Sequence, residues 1–184
     1  MPTMQTMQTI NTDQLAQQIK DWGGELGFQQ VGITDVDMKD HGIRLQEWLK
    51  KEYHGEMLYM ADHGDKRYRP EKLVPDTLRI ITVRMNYMPP EIETLKIINS
   101  PQQAYISRYA LGRDYHKLMR KRIAMLGKKI NEALVPLGLE SNYRAFVDSA
   151  PVLERGLAQK SGQGWIGKNA MLINPKAGSY FFLG

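Results

Sequence analysis

Apolar residues recur along this chain at two periods. Leu15, Ile19, Trp22 and Leu26 stand four, three and four residues apart, which places them on one helical stripe. Asn11, Thr12 or Asp13 can cap that helix and Gly27 can end it. FQQVGIT (28–34) follows as a short strand, and Leu45, Trp48 and Leu49 mark a second helix around 44–52. LRIITVRMNYM (78–88) is the longest strand-like run, stopped by Pro89 and Pro90, and is expected at the centre of a sheet. The longest helix is DYHKLMRKRIAMLGKKINEALVPLG. It turns Leu118 or Met119, Ile123, Leu126, Ile130 and Leu134 inward and ends at Gly138. YRAFVD (143–148) reads as a strand. APVLERGLAQKSG reads as a helix with Ser149 as N-cap and Pro151 in its first turn. MLINPKAGSYFFLG reads as two paired strands about a turn at NPKAG.

This order predicts an α+β fold, helices packed on a mostly antiparallel sheet, rather than a doubly wound one. At 184 residues and 42% hydrophobic content the chain suits one core. Residues 1–9 read as a loose tail and 10–184 as a single domain. The apolar ending SYFFLG predicts that a longer natural chain continues past Gly184. No apolar run is long enough to span a membrane and the first residues do not read as a signal peptide, so a cytoplasmic protein with no membrane partner is expected.

Composition narrows the chemistry. The absence of cysteine excludes disulfides, thiolate nucleophiles and a thiolate-bound cluster within these residues, and His41, His54, His63 and His116 show no metal-binding spacing. Net charge is only +5, but residues 108–129 hold eight Lys and Arg (Arg108, Arg113, Lys117, Arg120, Lys121, Arg122, Lys128 and Lys129) against one acid, Asp114. Such a local excess suits a polyanion.

SGQGWIGKNAM (161–171) carries glycines at 162, 164 and 167, the G-x-G-x-x-G spacing, and reads from Gly162 to Lys168 as G-x-x-x-x-G-K. Both phosphate motifs require a strand before and a helix after the glycines. Here the expected order is helix, then glycines, then strand, and Asn169 replaces the magnesium-binding hydroxyl, so both nucleotide readings are rejected. Gly162 suits a helix C′ position. Trp165, Lys168 and Asn169 are left over, and together with bare glycine backbone they suit a flat ligand with an apolar face and a polar rim.

Four blocks in order, DKRYRPEKLVP, SRYALGRDYHKLMR, FVDSAPVLERGLAQKSGQGWIGKN and GSYFFLG, cover nearly all of the chain and resemble the N-terminal part of the epoxyqueuosine reductase family. The resemblance implies a fold related to nitroreductase-like and cobalamin-processing domains that holds cobalamin base-off. It also implies two [4Fe–4S] clusters on a ferredoxin-like part and a helical-repeat part, both past Gly184. The implied reaction removes the epoxide oxygen of epoxyqueuosine at the tRNA wobble position, the last step of queuosine synthesis, with electrons from an external donor and the enzyme acting as a monomer.

The resemblance further implies that Asp148 is the proton donor beside cobalt. Arg67, Ser107, Asp148, Trp165, Lys168, Asn169, Leu172 and Leu183 are the expected cobalamin contacts. Some relatives carry cysteine where this chain has Ser107, so no protein ligand to cobalt is expected from that position. Arg113, Lys117, Arg120 and Lys121 are the expected tRNA contacts. A cobalamin carrier or processing protein, a flavin-dependent reductase on a similar fold, and an RNA-binding module without chemistry are the competing readings. A carrier would have no need of the basic helix, and a visible spectrum separates a flavin from a corrinoid.

Overall fold

A computed structural model describes residues 11–89 and 93–184. The expected tail at residues 1–9 and the stop at Pro90 lie outside them. Helix α1 (Thr12–Glu25) is capped by Asn11, whose side chain accepts from the Asp13 and Gln14 N–H groups at 3.1 Å each. Gly27, at φ +85°, ends it in a Schellman turn: the Phe28 N–H donates to Gly23 O and the Gly27 N–H to Gly24 O. Strand β1 (Gln30–Thr34) and helix α2 (Lys39–Lys50) follow. The helix starts five residues before the expected position, where Asp37 accepts from the Lys39 N–H. Residues 57–73, given no element by periodicity, form two single-turn helices, α3 (Tyr59–Asp62) and α4 (Pro70–Leu73), around a 3-10 turn at Gly64–Arg67.

Strand β2 (Ile80–Asn86) is central, pairing antiparallel with β1 in the register Val31 to Val83. After the short α5 (Thr94–Ile98) and a 3-10 turn at Arg108–Ala110, the long helix α6 (Tyr115–Leu134) crosses the sheet. Met119 is fully buried and Leu118 exposed, which settles the alternative left by periodicity. The helix passes through a 3-10 turn at Val135–Leu137 and stops at Gly138, φ +71°. Helix α7 (Glu154–Lys160), the hairpin strands β3 (Trp165–Ile166) and β4 (Leu172–Ile173), and β5 (Phe181–Leu183) complete the fold. The predicted α+β class, helices on an antiparallel sheet, is the observed one.

Three expectations fail. β5 pairs with β2, Met85 opposite Phe182, and not with the strand near Met171. That strand pairs with β3 instead, although the turn at NPKAG does form and is closed by a bridge from Asn174 to Gly178. With β5 on the free edge of β2, YRAFVD is not the strand that takes it. It forms no strand and lies along α6, Tyr143 packing over Gly127 and donating its hydroxyl to Ala124 O. Ser149 does not cap α7, which begins five residues later with Leu153 at its N-cap.

One face of the sheet is apolar and the other polar. Val31, Val83 and Met85 join Ile19, Phe28, Met119, Leu126 and Val147 in the core under α1 and α6. On the face toward α7, Thr82 meets Ser161 (Oγ to Oγ 2.6 Å) and receives the Gln163 amide. Gly32 is required there, because a Cβ would lie 2.5 Å from Ser161 Oγ. The alternation of β2 thus serves two different packings.

Candidate functional site

Asp148 lies between the end of the 139–147 segment and α7, in a backbone conformation few residues tolerate. Its φ is +57°, and the Ser149 N–H donates to Val147 O at 2.6 Å, a γ-turn of the rare positive-φ kind. Such strain collects where surrounding contacts fix it. Here the Asp148 N–H donates to Glu154 Oε1 at 2.9 Å, and Tyr115 OH donates to Asp148 Oδ2 at 2.5 Å. His116 Nε2 lies 2.9 Å from the same Oδ2, while its Nδ1 lies 2.8 Å from Asp114 Oδ1. Among the described residues nothing hydrogen-bonds Asp148 Oδ1.

Each partner is placed by regular structure. Asp114 is the N-cap of α6 and accepts from the His116 N–H. Tyr115 is stacked on Phe182 of β5 (3.7 Å between centroids, 9° between planes) and on His116 (4.0 Å, 25°). Burial, and then the hydrogen bond to Asp148, push the Tyr115 phenol above its ordinary range, so it remains a donor. Burial likewise raises the Glu154 carboxyl, with help from the Asp148 charge, to about 7. The hydrogen bond with His116 lowers the Asp114 carboxyl. Despite these acids, no three His, Asp or Glu side chains among the described residues converge as a metal site.

The glycine stretch proves to be a helix end and a hairpin. Gly162, at φ +82°, is the C′ residue of α7: its N–H donates to Gln159 O, and that of Gln163 to Ala158 O. At Gly164 a Cβ would lie 2.2 Å from Ile173 O, so the β3–β4 pairing itself demands glycine. Gly167 to Ala170 form the turn at the tip, where Asn169 accepts from the Met171 N–H. The helix-before, strand-after order that rejected a nucleotide site is therefore the observed one.

The fold itself does not account for what the hairpin exposes. Trp165 is 48% exposed. Lys168 and Asn169 are exposed as well, and Lys168 forms no ion pair among the described residues. Leu172 is buried and Leu183 half-buried. Arg67 is no solvated cation: its guanidinium is buried and donates to Met60 O (3.0 Å) and Tyr59 O (2.6 Å), and its own carbonyl accepts from the Leu153 N–H. Ser107 is exposed at the start of a 3-10 turn, and no hydrogen bond joins it to the Asp148 cluster.

Helix α7 ties the two parts together. Its first residues are Glu154, which holds the Asp148 N–H, and Arg155, whose guanidinium donates to Ala170 O at the hairpin tip. Sequence reasoning singled out Asp148 and the hairpin but missed Tyr115, His116 and Glu154. All three lie within the blocks that carry the resemblance, and the signal was the acid–aromatic–imidazole run Asp114–Tyr115–His116 at a helix start. Arg113, Lys117, Arg120 and Lys121 are exposed and form no ion pair among the described residues. Lys117 sits in the first turn of α6, where the helix dipole disfavours a cation.

A family model described as "Epoxyqueuosine reductase QueG, DUF1730" matches residues 67–149, and a curated epoxyqueuosine reductase of Pseudomonas aeruginosa is 59% identical over 170 residues, 92% of this chain and 46% of its own length. Over nearly all of its length the chain is similar to epoxyqueuosine reductases. It spans about half the length of the curated relatives it matches. Two solved epoxyqueuosine reductases share the fold. One, with an epoxyqueuosine-modified tRNA-Tyr stem loop, superimposes at a TM-score of 0.73 with 23% identity, covering 94% of this chain and 44% of that one. The other, from Bacillus subtilis with a catalytic aspartate loop swung out of the active site, gives 0.69 with 22% identity over the same shares.

Proposed function

We propose that this chain is the cobalamin-holding, proton-donating part of an enzyme that reduces epoxyqueuosine to queuosine in tRNA, with Asp148 as the acid. The observation that supports this most is the state of Asp148. Its backbone is held in a strained turn, one carboxylate oxygen is fixed by Tyr115, and the other is without a partner among the described residues. A capping aspartate would spend its side chain on helix N–H groups, and Asp148 caps none.

The hairpin residues fit cobalamin in kind. Trp165 offers an apolar face, Lys168 and Asn169 offer polar groups to the amide rim, and Leu172 and Leu183 back the surface from β4 and β5. Arg67 serves by holding α7 in place, with the guanidinium N–H groups not used on Met60 and Tyr59 available to the ligand. Ser107 has no thiolate to offer a metal. When bound, cobalamin supplies reduction at carbon, and the protein supplies position and protons. Lysis of the epoxide builds negative charge on oxygen, and an acid at Oδ1 of Asp148 can neutralise it as it forms. The exposed cations Arg113, Lys117, Arg120 and Lys121, on the helix whose first turn holds His116 and Tyr115, suit the phosphates of the tRNA substrate.

The two [4Fe–4S] clusters, the helical-repeat part and the docking of an external electron donor belong, in this reading, to residues outside this chain. The protein acts as a cytoplasmic monomer. No helix among the described residues is long and apolar enough to cross a membrane.

Asp148→Asn in the full-length protein tests the acid. Asparagine tolerates a left-handed φ and keeps the size, so melting temperature and the bound corrinoid spectrum should be retained. Turnover of epoxide-bearing tRNA should fall by about a hundredfold or more. Near-normal turnover would make Asp148 a turn residue and nothing else.

A further inference from the structure

Removing an epoxide oxygen as water consumes two electrons and two protons: both carbon–oxygen bonds break, an alkene forms, and the oxygen leaves with two hydrogens. A single carboxylic acid carries one proton. If Asp148 is the donor, as proposed above, it must be reprotonated before the oxygen can leave as water and again before the next turnover.

We propose that His116 is the residue that resupplies Asp148 with protons, with Asp114 as the group that orients it. His116 Nε2 is 2.9 Å from Asp148 Oδ2, and Nδ1 is 2.8 Å from Asp114 Oδ1. With Nδ1–H directed at Asp114, the second ring proton of the imidazolium sits on the nitrogen facing Asp148. Asp148 gives its proton to the substrate oxygen and becomes a carboxylate. The imidazolium then passes its Nε2 proton to Asp148 Oδ2, leaving a neutral ring; rotation of the carboxyl brings that proton to the substrate side, and bulk solvent returns a proton to Nε2. The electrons come from the low-potential donor that reduces the substrate and do not pass through these residues.

Placement favours this route over the other neighbours of Asp148. The His116 side chain is 41% exposed, so solvent protons reach it directly. Tyr115 also touches Oδ2, but burial and Asp148 raise its phenol, which suits it to hold a carboxylate and not to surrender a proton. Glu154 faces the Asp148 backbone N–H and does not contact its carboxylate. The charged and titratable groups around the imidazole are thus Asp114 and Lys117 on its own helix end, Tyr115 beside it, Asp148 on the facing loop, and Glu154 on α7.

Substitution in the full-length, cofactor-loaded protein tests the role. His116→Gln keeps an N–H donor near Asp148 but cannot shuttle protons; kcat should fall at least about tenfold while KM for the tRNA substrate holds. In His116→Ala, added imidazole should restore turnover in a saturable manner. A readout independent of activity is the pair of His116 ring-nitrogen signals in histidine-labelled protein, whose shifts report the contact with Asp148 and should change when Asp148 becomes Asn. Full-rate turnover by His116→Gln, absence of imidazole rescue, or His116 ring-nitrogen shifts unchanged by Asp148→Asn would each overturn the proposal. An active Asp148→Asn enzyme would instead sink the reading of Asp148 on which it rests, so the two failures are distinguishable.

Discussion

Glu154 offers a quantitative test of how the Asp148 turn is built. Its carboxyl is raised from 4.5 to about 7, first by burial and then by the Asp148 charge, against the lowering effect of the Asp148 N–H. The folded state therefore holds this proton more tightly than the unfolded chain does. The corresponding stability is fully present below pH 4.5 and is lost as pH rises through 7, by linkage. The displacement corresponds to about 3 kcal/mol at most. Glu154→Gln removes the ionisation but keeps a carbonyl to accept from Asp148. Relative to wild type, its melting temperature should climb between pH 4.5 and pH 8 by up to about 10 °C, taking about 2–4 °C per kcal/mol for a domain of this size. A carbon-13 titration of Glu154 should show its midpoint near 7 and should shift downward in Asp148→Asn. Parallel melting curves for the two proteins across that pH range would refute the assignment of a buried, proton-holding carboxyl beside Asp148.

Two further predictions concern the hairpin and the basic face. Gly164→Ala puts a Cβ 2.2 Å from a backbone oxygen, so the β3–β4 pairing must open, costing about 1–3 kcal/mol; an unchanged melting temperature would remove the steric reason for this glycine. Replacing Arg113, Lys117, Arg120 and Lys121 by Ala in the full-length protein should reduce the slope of log affinity for tRNA against log salt by about three, at roughly 0.7 per phosphate contact. Cobalamin affinity should not change, and an unaltered salt slope would leave these residues as a solvated helix face.

Legibility in the sequence followed the range of the interactions. The helix stripe Leu15–Ile19–Trp22–Leu26, its Asn11 cap and its Gly27 stop are local, and all were readable. The same holds for β2, for Gly138 and for Gly162, whose roles depend on a few neighbouring residues. Pairing partners were not readable. Phe181–Leu183 has the same apolar pattern whether it pairs with β4 nearby or with β2 about a hundred residues back, and YRAFVD keeps its strand-like composition although it pairs with no strand. Arg67 misleads in the opposite sense. Beside Lys66 and Arg69 its default is a solvated charge, yet the turn around it presents the carbonyls of Tyr59 and Met60 and buries it. The candidate acid was reached through the resemblance, and the wrong local structure was assigned to it: a strand end was expected, and a positive-φ turn is what directs the side chain.

That turn explains why the site is spread over so many elements. A left-handed, non-glycine residue costs on the order of 1 kcal/mol or more and holds only when its surroundings over-determine it. The backbone of Asp148 is fixed from α7 through Glu154, and its side chain is fixed from α6 through Tyr115. Tyr115 is in turn set by the sheet: its ring lies on Phe182, which packs against Tyr87 at 4.7 Å. A small displacement of β5 would thus be felt at Asp148 Oδ2, although no residue of β5 touches the carboxylate. The hairpin proposed to meet the cofactor is tied to the same helical turn through Arg155 and Ala170. The proposed acid and the hairpin therefore share one support, α7, whose C-cap Ser161 rests on the polar side of the sheet at Gly32 and Thr82. The alternation of β2 would serve a sheet with one solvated face equally well; here its polar face is covered, and Thr82 with Gly32 is what seats that helix.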